Sequence, residues 1–299
     1  METGVKGINE RIFQFIIMIF LGILSLLAIM PFVLLLSSSL TDEKYLLSQG
    51  YNFFTDHFST YAYQYLFISN GTKILKSYSV TIFITIVGTA ISLLISPLLA
   101  YPLSRRDYPR NKIVTFLVVI TMLFNGGVVP SYLMWTQIFH IKNTILALIF
   151  PNLLFNGFYI MLFKNSFAIN IHPALIEAAK IDGAGEMFIY RKVVLPLSAP
   201  ILATVGLMVG LGYWNDWTNG LYYINDVNLY SLQILLNSII NNISAIATIG
   251  SSTSLSQSEM PGTGIRMAMA VIGVIPVMVL YPFFQKYFIK GIAIGGVKE

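Results

Sequence analysis

The chain contains no cysteine, only 3 histidines, and few charges, with Asp, Glu, Lys and Arg together making up 10% of its 299 residues. The missing cysteine excludes a disulfide framework and any thiolate metal site. No Gly-x-x-x-x-Gly-Lys-Ser/Thr string occurs, so that means of cradling a nucleotide's phosphates is absent. No metal-ligand cluster and no nucleophile with a matching base emerges, which argues against an enzyme. The low charge excludes an ordinary soluble domain, where about a quarter of residues are charged.

What the chain has instead is apolar length. Hydrophobic residues make up 56% of it, and about 20 in succession span a bilayer core. Six runs of roughly that length lie at 12–36, 77–101, 113–135, 144–163, 197–214 and 267–284. Backbone polar groups cannot stay unpaired in lipid, so each run is expected to be helical. The expected fold class is all-α, a polytopic membrane protein with six transmembrane helices. The first run is longer than the apolar core of a secretory signal and no Ala-x-Ala-like site follows it, so it is read as a retained helix.

Basic residues set the orientation, because Lys and Arg are retained in cytoplasmic loops. With the N-terminus inside, 13 of the 18 Lys and Arg face the cytoplasm, and Lys44, Lys73, Lys76, Lys142 and Arg266 stay outside. Both termini are then cytoplasmic. The net charge of +5 is this topological bias, and no nucleic-acid partner is implied.

Between the runs, 40–76 is an outer segment rich in Tyr, Phe, Ser and Asp, including Tyr61, Tyr63 and Tyr65. It reads as an interfacial aromatic belt or as a contact for a binding protein or sugar. The basic turn 103–112 is explained by charge retention alone. Asn125-Gly126-Gly127 breaks the third run, through close helix packing or as pathway lining. Leu232, Leu235, Leu236, Ile239, Ile240 and Ile243 share one face of a helix of about 15 residues, expected to lie on the outer membrane surface or against a partner subunit. The segment 249–264 has a linker composition.

One polar island, 170–196, interrupts the apolar pattern on the cytoplasmic side. Pro173 opens a helix expected over 174–181, Asp182-Gly183 is a turn signal, and a second helix is expected over 184–193, stopped by Leu195-Pro196. Glu177-Ala178-Ala179, Asp182-Gly183-Ala184 and Leu195-Pro196 stand in the order and spacing of the EAA loop of bacterial ATP-binding-cassette importers. Trp214-Asn215-Asp216-Trp217 and the C-terminal Tyr281-Pro282-Phe283-Phe284-Gln285-Lys286 add to the likeness. The chain thereby resembles the MalG-like permease subunits of type I carbohydrate importers, and within them the branch associated with binding lipoproteins.

That resemblance implies a division into residues 1–76, a transmembrane helix and outer loop, and 77–299, a five-helix permease core with the coupling loop 170–196 and an outer loop 218–264. It implies that Glu177, Ala178, Ala179, Asp182, Gly183, Ala184, Met187 and Phe188 dock on an ATPase, and that Ser251, Ser252, Thr253, Ser254 and Gln257 reach into a solute-binding protein. Implied partners are a second homologous permease subunit, two ATPase subunits that bind ATP and Mg, an extracytoplasmic lipoprotein and the lipids of the bacterial cell membrane. No cofactor is expected in this chain. Tyr132, Trp135, Asn152, Asn156, Tyr213 and Trp214 are of types that hold sugars by stacking and neutral hydrogen bonds; packing is the alternative for each. The solute expected is a sugar, an oligosaccharide by resemblance, with a non-sugar importer as the alternative. An ion-coupled transporter is disfavoured because no expected span carries an acidic residue well inside.

Overall fold

The computed structural model describes residues 8–151, 154–251 and 262–295. Among the described residues the chain is helical, with one isolated bridge between Thr41 and Phe58. The helices are α1 (Ile8–Ser39), α2 (Glu43–Gln49), α3 (Tyr61–Ser104), α4 (Asn111–Leu123), α5 (Val128–Leu133), α6 (Leu146–Ile149), α7 (Gly157–Asn170), α8 (Pro173–Ile181), α9 (Glu186–Ile189), α10 (Leu195–Leu197), α11 (Ala199–Trp214), α12 (Thr218–Tyr223), α13 (Leu232–Ser251) and α14 (Thr263–Gly295). Single π-helical turns extend α5 through Ile138 and join α9 to α10.

Two stretches, Ile12–Ser39 and Asn70–Ser104, are long and apolar enough to cross a bilayer, and two bent pairs raise the count to four if each is one span. The first bend, 111° between Asn111–Leu123 and Val128–Ile138, falls at the Asn125-Gly126-Gly127 break read from the sequence. The fourth expected run is not continuous: α6 and α7 are separated around Pro151, which has no N–H to give a helix. The helix expected to stop at Leu195-Pro196 runs on to Leu197 and bends by 80° into α11. Pro196 there occupies a first-turn position, where its missing N–H costs little, and the bend waits for Ser198 and Pro200.

Helix α3 begins at Tyr61, so Tyr61, Tyr63 and Tyr65 belong to a 44-residue helix rather than to an outer loop. Ala62, Leu66 and Ile74 are buried at spacings of four and eight, a helical period hidden in the sequence by its aromatic and polar letters. Helix α13 is also longer than expected. Leu232, Leu235, Leu236 and Ile239 of its apolar face are buried by this chain itself, and Thr81 Oγ1 accepts from the Leu232 N–H at 2.7 Å. No outer membrane surface or partner is required to cover those four. In contrast, none of the most apolar window of α1 is buried by the chain.

The described residues group into two units, one within Met1–Gly71 and Ile240–Val274, the other within Thr72–Ile239 and Ile275–Glu299. In the first, Ser39 and Tyr63 share a hydroxyl hydrogen bond of 2.8 Å, and the Asp42 N–H donates to the His57 carbonyl at 3.0 Å. In the second, a core of Tyr101, Leu103, Ile160, Phe163, Phe167, Ile189, Val194, Val205 and Tyr213 joins α3, α7, α9 and α11. A second cluster sets Ile84 against Leu148, Ile149, Leu154 and Tyr223.

The Tyr213 ring lies flat where Gly88 has no side chain: a Cβ there would sit 2.3 Å from Cζ. Its hydroxyl donates to the Ile149 carbonyl at 2.9 Å. Tyr213→Phe should therefore cost about 1–3 kcal/mol by stranding that carbonyl, and Gly88→Ala about 1–3 kcal/mol by overpacking. Thermal unfolding of the purified protein in detergent checks both; unchanged midpoints would contradict the packing described.

Candidate coupling site

The polar island folds into a short helix, a left-handed turn and a second helical segment. His172 starts α8 by accepting from the Ala174 N–H through Nδ1 at 3.3 Å, with Pro173 at the first helical position. The helix ends at Asp182, and Gly183 takes φ +79°, a conformation that costs a residue with Cβ roughly 1–2 kcal/mol. The Gly183 N–H then reaches the Lys180 carbonyl at 3.0 Å and the Ala184 N–H reaches the Ala179 carbonyl at 2.9 Å. This pair of bonds is the Schellman motif. Ala179 and Ala184 are both half-buried against the core beneath.

The eight expected docking residues are thereby sorted. Ala179 and Ala184 face inward and fix the turn. Glu177, Ala178, Asp182 and Gly183 are exposed, and Met187 and Phe188 stand 50% and 58% exposed. Ile181, which sequence reasoning passed over, is 86% exposed at the tip. With Met187 and Phe188 it leaves three large apolar side chains of this segment uncovered by the chain. The Glu177 carboxylate makes no hydrogen bond or ion pair among the described residues and is exposed.

The turn 103–112, which charge retention alone explains in the sequence, carries specific ion pairs in the structure. Arg105 pairs with Asp107 and donates to Glu186 at 2.8 Å, while Lys180 reaches Glu186 at 3.1 Å and Asp107 at 3.4 Å. The Tyr101 hydroxyl donates to Glu186 at 2.8 Å, and Asn111 Nδ2 donates to the Arg105 carbonyl at 2.9 Å. The turn after α3 is thus strapped to α8 and to the start of α9. A groove of about 430 Å³ lies against the strap, lined by Leu98, Tyr108, Met187 and Tyr190 among others. The one signal in the sequence was opposite charge on two segments 81 residues apart, which no local pattern pairs.

The hydrogen bond from Arg105 holds the Asp107 carboxyl well below its ordinary range, at about 2. A carboxyl lowered in this way contributes stability in full above its unfolded value of about 3.9 and loses it as pH falls through about 2.

Among the expected pathway residues that are described, Tyr132 and Trp135 pack against the cluster that holds Ile149. Tyr132 stacks on Tyr223 with centroids 6.0 Å apart, and the Lys142 ammonium donates to its hydroxyl at 2.8 Å. Trp135 leans on Phe139 and Phe150. Asn156 caps α7 by accepting from the Phe158 N–H at 2.9 Å. Tyr213 and Trp214 are buried, the latter tilted against Tyr78. Asn152 lies outside the described residues, as do Ser252, Thr253, Ser254 and Gln257; Ser251 is the last residue of α13.

Two outcomes follow for the loop. Gly183→Ala should weaken the turn by about 1–2 kcal/mol, read as faster amide hydrogen exchange at Ala184, with Gly183→Asn milder because Asn tolerates the left-handed region. Glu186→Gln should lower solute transported per ATP hydrolysed in reconstituted vesicles. The contribution of the strap should stay level between about pH 5 and 8 but weaken in about 0.5 M salt, since its pairs are partly exposed. Insensitivity to both charge removal and salt would deny the strap a part in coupling.

Residues 92–294 match the family described as "Binding-protein-dependent transport system inner membrane component". The chain is 37% identical over 294 residues to the Polygalacturonan/rhamnogalacturonan transport system permease protein YtcP of Bacillus subtilis, covering 97% of this chain and 99% of that one. It is 36% identical over 288 residues to Protein LplC of the same organism, covering 96% and 95%. A crystal structure of a bacterial ABC transporter involved in the import of the acidic polysaccharide alginate contains a chain that superposes with a TM-score of 0.75 at 28% identity, covering 96% of this chain and 100% of that one. With the match spanning more than half its length, the chain belongs to the family of membrane components of binding-protein-dependent transport systems.

Proposed function

We propose that this chain is one of two permease subunits of an ATP-driven oligosaccharide importer, and that it takes its driving force through the loop from His172 to Leu197. The observation that carries the reading is the exposed knob of Ile181, Met187 and Phe188 beside the unpaired Glu177, held on a turn that Gly183 and the Arg105 strap make stiff. The chain spans the membrane six times with both termini in the cytoplasm, the broken segments counted as spans. A second permease completes the passage. Two separate ATPases bind ATP and Mg, receive the knob in a cleft, and on closing swing the paired permeases from inward-open to outward-open. A lipoprotein delivers solute to the outer connection at Ser251, Ser252, Thr253, Ser254 and Gln257. Tyr132, Trp135, Asn152, Asn156, Tyr213 and Trp214 remain the candidates along the passage, and the stacked Tyr132 has the Lys142 ammonium 5.4 Å from its ring centre.

The names of the relatives make acidic sugars the first solutes to test, and an exposed ammonium beside an aromatic face suits a uronate oligomer. The absence of cysteine makes the cross-linking test direct. A cysteine at the exposed Ala178, rather than the half-buried Ala179, should cross-link to the cognate ATPase in an ATP-responsive way, while failure there would remove the coupling assignment. Vesicles holding ATP inside should take up oligogalacturonate only with the binding protein present. Uptake driven by an ion gradient without ATP would overturn the importer reading.

A further inference from the structure

We propose that Glu43 is a positioning residue for transport stimulated by the binding protein: its carboxylate fixes the first turn of α14 to the outer helix α2. The proposal rests on the importer reading above. The first N–H groups of a helix have no partners within it and carry partial positive charge. At the start of α14 the residue before the helix is Gly262, which has no side chain to supply an acceptor. Glu43 supplies it from 219 residues upstream. Its Oε1 accepts from Gly262 at 3.2 Å and from Thr263 at 2.7 Å, and its Oε2 from Gly264 at 2.8 Å. One carboxylate thus takes three successive backbone donors.

The site is shaped for this contact. A Cβ on Gly264 would stand 3.0 Å from Glu43 Oε2, 3.8 Å from Leu46 and 3.9 Å from Ala62, so α2, α3 and α14 meet over a residue without a side chain. Leu46, Ala62 and Ile265 are all buried there. A cavity of about 50 Å³, bordered by Thr41, Ser59 and Glu43, leaves room for water beside the carboxylate. Helix α2 is itself anchored: Asp42 caps it by accepting from Lys44 at 3.0 Å, and Thr41 bridges to Phe58. Arg266 Nη2 donates to Ser244 Oγ at 2.8 Å, so the start of α14 is held to α13 as well. The start of α14 is therefore tied to α13 through Arg266 and to the separate helix α2 through Glu43. A protein that lands on α2 moves α14 with it.

A simple helix cap would affect folding alone, whereas a positioning residue changes the response to the binding protein. The full complex, reconstituted in nanodiscs, is titrated with the binding protein encoded beside this chain and loaded with oligogalacturonate. In Glu43→Ala and Glu43→Gln the concentration giving half-maximal ATPase stimulation should rise at least about fivefold, with ATPase activity in its absence held within about twofold. Glu43→Asp, which keeps the carboxylate, should recover part of the response. Spin labels at Ser48 and Ala270, placed without removing any native cysteine, should show a broader distance distribution in Glu43→Ala than in Glu43→Asp. If Glu43→Ala does not assemble, Glu43→Gln, which keeps one acceptor oxygen, carries both measurements. Stimulation at wild-type concentrations, or an unchanged label distance, would overturn the proposal. A wild-type complex that the binding protein does not stimulate overturns the importer reading instead.

Discussion

Inside a bilayer a backbone N–H or C=O that leaves its helix finds no water, so every break in a span must be closed by the protein. This chain breaks its helices repeatedly, and the closures account for much of its polar side-chain placement. After α4 the Gly127 N–H is taken by Asn125 Oδ1 at 2.9 Å. Around Pro151 the Ile149 carbonyl receives the Tyr213 hydroxyl and the Pro151 carbonyl receives Asn219 Nδ2 at 2.9 Å. The N–H of Phe158, where α7 begins, goes to Asn156. Glu43 at the start of α14 follows the same rule with a charged acceptor.

This constraint changes the meaning of several residues that look like sugar ligands in the sequence. Tyr213 and Asn156 are hydrogen-bonding types beside an expected passage, yet both serve breaks in neighbouring helices. An Asn or Tyr in an apolar run carries the same letter whether it meets a solute or a stranded carbonyl. Only the position of the break decides, and the break at Pro151 depends on a contact with α11 more than 60 residues away. The interruption at Asn125-Gly126-Gly127 was legible because two adjacent glycines mark it locally.

The coupling loop was legible for a related reason. Pro173, Asp182-Gly183 and the alanines are local signals: a helix start, a left-handed stop and small apolar residues on either side of it. The structure adds the direction of each residue. Of the letters that carry the family likeness, Ala179 and Ala184 hold the loop to its core, and Glu177, Ala178 and Asp182 face outward. The strap of Arg105, Asp107, Lys180 and Glu186 was not legible, since a basic turn after a span already has a sufficient explanation in membrane topology. The same arginine that the sequence explains by a topological rule takes a specific partner in the structure.

On the proposed reading, the loop and its strap account for how force applied at the knob would reach the helices packed against it. A lever transmits motion only if it is stiffer than the parts it moves, and a lone helical hairpin on a glycine turn is not stiff. Here the turn is closed by two backbone bonds, its alanines sit on the core of α3, α7, α9 and α11, and the ion pairs join its far side to the end of α3. Exposed pairs of this kind contribute little to folding, about 0–1 kcal/mol each. On the proposed reading their value is directional: they join α8 and α9 to the end of α3 and leave Ile181 and Phe188 exposed. Loss of the strap should therefore separate ATP hydrolysis from transport without unfolding the chain, which is the pattern that distinguishes a transmission element from a structural one.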